Sequence, residues 1–328
     1  MDLIVNGTAI AGSSLGARRY YAGVMAHLDW PGCVEVAALT GRTARLREMF
    51  VRGRPDAIYW SPSHRGPLIA RNHVVTVLDC INIEYVYRDD WRLPLLKTVF
   101  ARLLDNARSV VCISNATRDA VLRNFDIDPT KTVVIAGPID VAPRIEAGLV
   151  PEDAPLPDDF VLLVTNALPH KNTGRAGESF AASSAKARGI GLKVVGSMSA
   201  AGLAACHDAG VRLEQHRNIP DALLQQWVRQ SRFVWSPTLA EGLNLPIAEA
   251  LSLGADVLCS DIAVHREFYD GDVDFFDPLN TNAMVAALNR AFDRPRGWHP
   301  EPSTRPRPGL IQVGQQYNEL FESIAASR

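Results

Sequence analysis

Two glutamates bracket the start of a helix in the segment Pro237-Thr238-Leu239-Ala240-Glu241-Gly242-Leu243-Asn244-Leu245-Pro246-Ile247-Ala248-Glu249-Ala250-Leu251. A buried strand, Phe233–Trp235, runs into a glycine-containing loop, and Pro246 sits where a helix tolerates proline. The loop amides of Gly242, Leu243, Asn244 and Leu245 then lie at a helix N-terminus, where unpaired N–H groups recognise anions and hydroxyls. Glu241 on the loop and Glu249 one turn inside the helix are placed to accept hydrogen bonds from sugar hydroxyls. The plainer alternative makes Glu249 a first-turn residue favoured by the helix dipole and Glu241 a solvated loop residue. A second segment, Leu162–Asn172, ends a strand in a loop carrying Asn166, His170 and Lys171. A lysine at the carboxyl end of a parallel strand can neutralise a diphosphate leaving group; an ordinary surface lysine is the alternative. In the third segment, Ala11–Tyr20, the residues Gly12, Ser13, Ser14 and Gly16 free the backbone for close approach to an anion, with Arg18 and Arg19 beside them. The fourth, Val74–Cys80, ends a strand on Asp79.

The elements that must position these residues alternate. Leu3–Val5, Val34–Leu39, Ala57–Trp60, Val74–Leu78, Val110–Ile113 and Val133–Ile135 read as buried strands. Tyr21, Val24, Met25 and Leu28 fall on one helical face; Val99, Leu103 and Leu104, then Ala120, Val121 and Phe125, predict two more helices. After five prolines between 138 and 157 the alternation resumes. Phe160–Val164, Leu192–Val195, Val211–Glu214, Phe233–Trp235, Val257–Cys259 and Phe275–Phe276 read as strands. Helices are expected near 174–188, 221–230, 246–253 and 281–293. A second proline-rich stretch (Pro295 to Pro308) precedes a helix over about 310–326. The pattern predicts an α/β protein of two Rossmann-like, doubly wound domains, 1–155 and 156–309, with the segment 310–328 free to pack back on either. A cleft between the carboxyl ends of the two sheets is the expected site.

Composition narrows the classes. The chain has 328 residues, 47% apolar and 21% charged, with net charge −2. That is ordinary for a globular protein and argues against one dedicated to nucleic acid. Basic residues are 29 Arg and 5 Lys, and residues 18–71 hold nine Arg against four acids. A basic N-terminal domain suits an anionic membrane surface or a lipid diphosphate; a solvated face is the plainer reading. Tyr85, Tyr87, Trp91 and Phe100 lie in one stretch, with Trp91 and Phe100 read as core residues. Five scattered cysteines suggest neither a disulfide framework nor structural zinc. The N-terminus lacks a signal-peptide pattern, and no stretch has the roughly 20 apolar residues that span a bilayer. The expected location is cytoplasmic, with any membrane contact peripheral.

The string Glu241-Gly-Leu-Asn-Leu-Pro-Ile-Ala-Glu249-Ala-Leu resembles the EGFGLPxxEAMAxGxPVxxS signature of the retaining two-Rossmann (GT-B) glycosyltransferases of family 4. The similarity continues through Gly254–Asp261, His265-Arg266-Glu267 and Phe276–Leu279, and includes Ile219–Leu224 upstream. It is specific over 160–295 and looser, but in order, before that: Gly16–Tyr20 is similar to a Gly-Ile-Gly-Arg-Tyr pattern, Val111–Thr117 to a strand-to-helix turn, and Val134–Asp140 to VxxNGVD. The resemblance implies that Glu241 lies beside the donor sugar, that Glu249 binds the nucleotide ribose, and that the amides of residues 242–245 hold the sugar and phosphate oxygens. It puts Lys171 on the diphosphate, Gly16 near the donor phosphates or the acceptor, and Arg18 and Arg19 toward an acidic acceptor. Three positions depart from the pattern. Leu78 stands for a histidine, so either Asp79 or another group positions the sugar, or activity is reduced or lost; Asn166 stands for an arginine, with His170 in the neighbouring basic position; Asn244 stands for a small glycine, a change in donor-sugar fit.

The resemblance implies a metal-independent, retaining hexosyltransferase without a cofactor. It would use a GDP- or UDP-linked sugar, with mannose one candidate, and a saccharide or lipid-linked acceptor in cell-surface polysaccharide or glycolipid synthesis. The three departures motivate a second reading, a non-catalytic accessory subunit of the same shape. A nucleotide-sugar epimerase on this fold is a third.

Overall fold

The computed structural model describes residues 1–11, 13, 15–139, 159–295 and 307–327. Asp140, most of the first proline-rich stretch, the boundary at 155/156, Gly12, Ser14, and Pro300, Pro302 and Pro306 of the second stretch lie outside the described residues. The chain divides into two compact units: Met1–Asp140 with Arg307–Arg328, and Val141–Pro306.

In the first unit the strands are β1 (Asp2–Asn6), β2 (Val34–Ala37), β3 (Ala57–Ser61), β4 (His73–Val77), β5 (Ser109–Cys112) and β6 (Thr132–Val134). They form a parallel sheet in the order β2-β1-β3-β4-β5-β6. Helices α1 (Gly7–Ala11), α2 (Leu15–Ala26), α3 (Ala44–Glu48), α4 (Leu93–Asn106) and α5 (Asn115–Asn124) connect them, and a single π-turn, Asn82–Val86, follows β4. Strands β3, β4 and β5 are buried throughout, as continuous apolar runs in a doubly covered parallel sheet should be. Val75, Val77, Phe100, Leu103, Leu104 and Val110 make the core on one face.

The second unit carries β7 (Phe160–Thr165), β8 (Gly191–Gly196), β9 (Leu213–His216), β10 (Val234–Ser236), β11 (Val257–Ser260) and β12 (Asp274–Phe276). Their order is β12-β11-β10-β7-β8-β9, again parallel. The helices are α6 (Thr173–Ala182), α7 (Ala200–Asp208), α8 (Asp221–Gln230), α9 (Leu245–Ser252), α10 (Ala263–Tyr269) and α11 (Thr281–Phe292). Phe180, Phe233, Trp235 and Phe292 anchor its core. The last helix, α12 (Leu310–Ala326), belongs to the first unit, where Tyr317 and Phe321 pack on Trp60.

Three local expectations need correction. The run from Val34 forms a strand but not a buried one: β2 is the sheet edge, and Val36 is 52% exposed. Trp91 is no core residue. It sits in the turn before α4, outside that helix's apolar face, and is 85% exposed, whereas Phe100 is buried. The helix expected over 174–188 stops at Ala182, where Ser183 turns to extended backbone and its hydroxyl donates back to the Phe180 carbonyl at 2.6 Å.

Candidate active site

In the second unit the strand order reverses between β7 and β10, so the loops leaving their carboxyl ends flank a switch point, where doubly wound sheets bind ligands. The β7 loop begins at Asn166, whose Oδ1 accepts the Leu168 N–H at 3.0 Å and closes a local turn. One 3₁₀ turn, Pro169–Lys171, follows, and Asn172 enters the left-handed region (φ 55°) at the start of α6. The Asn172 side-chain amide donates to the Pro237 carbonyl at 3.1 Å and the Pro278 carbonyl at 2.9 Å. The carbonyl of buried His170 accepts the Leu239 N–H at 2.7 Å and the Thr238 hydroxyl at 3.0 Å. The two loops are thus stitched together by donors that reach each other's backbone carbonyls.

This stitching brings Lys171 to Glu241. Their Nζ and Oε1 lie 2.5 Å apart, with side chains 18% and 11% exposed. Glu241 is therefore not a solvated loop residue. A partly desolvated pair interacts far more strongly than a surface pair. Beyond Glu241, the Gly242, Leu243 and Leu245 N–H groups have no acceptor among the described residues. Tyr269 fixes the loop from beneath, its hydroxyl reaching the Leu243 carbonyl at 2.9 Å and the Asn244 carbonyl at 3.2 Å.

Asn244 is left-handed (φ 61°) immediately before α9. Its side chain turns inward: Nδ2 donates to Ser236 Oγ at 2.8 Å and His265 Nε2 at 2.9 Å, while His265 Nδ1 pairs with the Ser260 carbonyl at 2.8 Å. These partners set the histidine tautomer with the proton on Nδ1. Burial pushes the His265 imidazole down to about 4. Glu249 is the fifth residue of α9, past the first turn, and half-buried. The dipole alternative for it therefore has little support, since that effect fades beyond the first turn.

The remaining expected residues lie on the first unit. Gly16 is helical, in the first turn of α2, with open space where a side chain would project. Arg18 and Arg19 are exposed, and Arg18 Nε donates to the Ser13 carbonyl at 3.1 Å. Asp79 lies two residues beyond β4, its Oδ1 accepting the Ile81 N–H at 3.0 Å. His64, on the adjacent loop after β3, was not among the expected residues; its signal is a histidine three residues past a buried strand. The Asp79 charge acts on its imidazole. Among the described residues no three His, Cys, Asp or Glu side chains are grouped to hold a metal ion, and no helix is long and apolar enough to cross a membrane.

Two parallel doubly wound units of six strands each are the fold of the GT-B glycosyltransferases. Residues 22–142 match the model of Glycosyltransferase Family 4, on the half of the chain where the motif resemblance is looser. Among solved structures, HepE from Anabaena in complex with UDP and glucose shares the fold with a TM-score of 0.71 at 15% identity, over 98% of this chain and 100% of that one. Sucrose-phosphate synthase from Thermosynechococcus elongatus superposes with a TM-score of 0.62 at 13% identity, over 99% and 96%. A trehalose-6-phosphate synthase studied for glycosyl transfer with retention gives 0.57 at 14% identity, over 84% and 74%. No curated protein matches the chain.

Proposed function

We propose that this protein is a retaining hexosyltransferase that moves a sugar from a nucleoside diphosphate to a saccharide or lipid-linked saccharide acceptor. The observation that carries the reading is the Lys171–Glu241 pair at the switch point of β7 and β10, beside the open amides of Gly242, Leu243 and Leu245. The family match and the shared fold support it. In this reading an incoming diphosphate draws Lys171 from Glu241, and Lys171 with the loop amides stabilises the charge that develops on the leaving group. Glu241 is left facing the transferred sugar as a hydroxyl acceptor, and Glu249 takes the ribose hydroxyls. The departing diphosphate itself accepts the acceptor's proton, so the chain needs no separate general base. Asn244, turned inward, leaves the sugar to meet backbone at this point.

A donor panel of UDP and GDP sugars, scored by nucleotide release and thermal shift with EDTA present, tests the reading. Lys171→Met is expected to lower kcat about 10²- to 10³-fold, the usual consequence of losing one group aimed at developing charge. Glu249→Ala is expected to weaken nucleotide binding with a smaller effect on kcat. If the wild type shows neither a nucleotide-sugar shift nor transfer, and Glu241→Ala changes nothing, the accessory-subunit reading replaces this one.

A further inference from the structure

The loop leaving β3, Pro62–Gly66, carries two enclosed polar atoms that no group satisfies. Ser63 is 5% exposed, and its Oγ has no hydrogen-bond partner among the described residues; neither does the enclosed Nδ1 of His64, the next residue. A buried hydroxyl or ring nitrogen left unpaired is costly, and two in consecutive residues call for a reason. The surrounding residues hold the imidazole in one place. Its ring packs on Phe100 with centroids 5.4 Å apart and planes at 38°. Asp79, from the end of neighbouring β4, and Arg65 act on it with opposite charge. The ring as a whole is half-buried, so one edge is enclosed and the other reaches the surface. Burial outweighs Asp79 and lowers its proton affinity, which leaves the ring neutral near pH 7. Arg65 and Asp79 balance, so the cluster has no net charge to offer a phosphate. A neutral imidazole, a hydroxyl and a carboxylate instead suit a neutral polyhydroxyl ligand.

We propose that Ser63, His64 and Asp79 form a saccharide-hydroxyl site at the carboxyl edges of β3 and β4. His64 bonds the hydroxyl through its outer edge, and the loop Pro62–Gly66 tightens on the sugar so that Ser63 Oγ and His64 Nδ1 gain partners. The site rests on the transferase reading for its ligand class, and the sugar can belong to the donor or to the acceptor. His64 acts here as a positioning residue.

The test follows the ¹⁵N imidazole resonances of His64 during titration with UDP-glucose, GDP-mannose, methyl α-glucoside, methyl α-mannoside, and UDP or GDP alone. Movement with a nucleotide sugar but with neither glycoside nor bare nucleotide assigns the site to the donor sugar. Movement with a methyl glycoside assigns it to the acceptor. Ser63→Ala is expected to weaken the response at least fivefold. His64→Ala is expected to lower transfer at least tenfold, with His64→Gln recovering part of it and the UDP or GDP thermal shift unchanged. Resonances that ignore every sugar, or a Ser63→Ala protein that responds like wild type, overturn the site in favour of a trapped water. A wild type without any nucleotide shift defeats the transferase reading instead, and the methyl glycosides still decide the site.

Discussion

Asn244 shows how a single side chain can serve backbone and core together. The left-handed conformation disfavours residues with a Cβ by about 1–2 kcal/mol, and asparagine is among the few that adopt it readily. That geometry also fits the glycine of the signature it resembles. The sequence marked the position as a change in donor fit, but the side chain faces Ser236 and His265, a direction that no spacing reveals. The same network has a pH consequence. His265 is enclosed with both ring nitrogens bonded in its neutral form, and its folded value of about 4 lies below the ordinary 6.5. The unfolded chain therefore takes up a proton as pH falls through 6.5, which the folded protein refuses until about 4. Stability from this group is present above 6.5 and lost between 6.5 and 4, a contribution of about 3 kcal/mol at most. Urea midpoints measured at pH 7.5, 5.5 and 4.5 should fall, and His265→Gln should flatten the fall. An equal slope in both proteins would remove His265 from the account. Lys171 and Glu241 were legible as separate candidates from their places after strands; their 2.5 Å contact was not, because it depends on the order β10-β7, set by non-local pairing.

At the scale of elements, strands were read well because parallel strands covered on both faces leave long apolar runs. Each expected strand overlaps an observed one. The errors have local causes: an edge position frees β2 from burial, and a turn carries Trp91 into solvent. Helix packing was invisible, and here glycine decides it. A Cβ on Gly177 of α6 would lie 2.2 Å from the Gly202 carbonyl oxygen of α7, and one on Gly202 would lie 2.1 Å from the Thr173 carbonyl oxygen. The two helices cross backbone to backbone, and α6 starts directly after Lys171 and Asn172. Gly177→Ala must push them apart, at a cost of about 1–3 kcal/mol for overpacking. We expect a lower melting temperature together with weakened nucleotide-sugar binding, since the shift is carried to the loop that holds Lys171. A melting temperature within one degree of wild type would show that the crossing yields without strain.

For the molecule as a whole, the chain returns to its beginning: the first unit comprises residues from both ends. The apolar periodicity of 310–326 made α12 readable as a helix, but periodicity says which face is buried and not against what. The partner is specified by a few polar atoms inside the apolar contact. Tyr317 Oη lies 2.9 Å from Tyr20 Oη on α2 and 2.8 Å from Thr76 Oγ1 on β4, and Trp60 Nε1 donates to the same Thr76 at 3.0 Å. All four residues are buried, with Trp60 and Tyr317 fully so. Val75 and Val77 face the opposite core, so α12 closes the face that Trp60 and Thr76 present. Tyr317→Phe keeps the ring but strips the shared hydroxyl, leaving Tyr20 with one partner fewer in an enclosed site. Such a loss costs about 1–3 kcal/mol. Deleting residues 310–327 goes further, exposing Trp60 and the β3–β4 face to water. The expected outcome is loss of hydrogen-exchange protection in β3 and β4 and loss of the near-ultraviolet circular dichroism of Trp60, with the Tyr317→Phe protein intermediate between the two. Protection of β3 and β4 that survives the deletion would mean that the first unit is complete without α12, and that the Tyr20–Tyr317–Thr76 contact only decorates it.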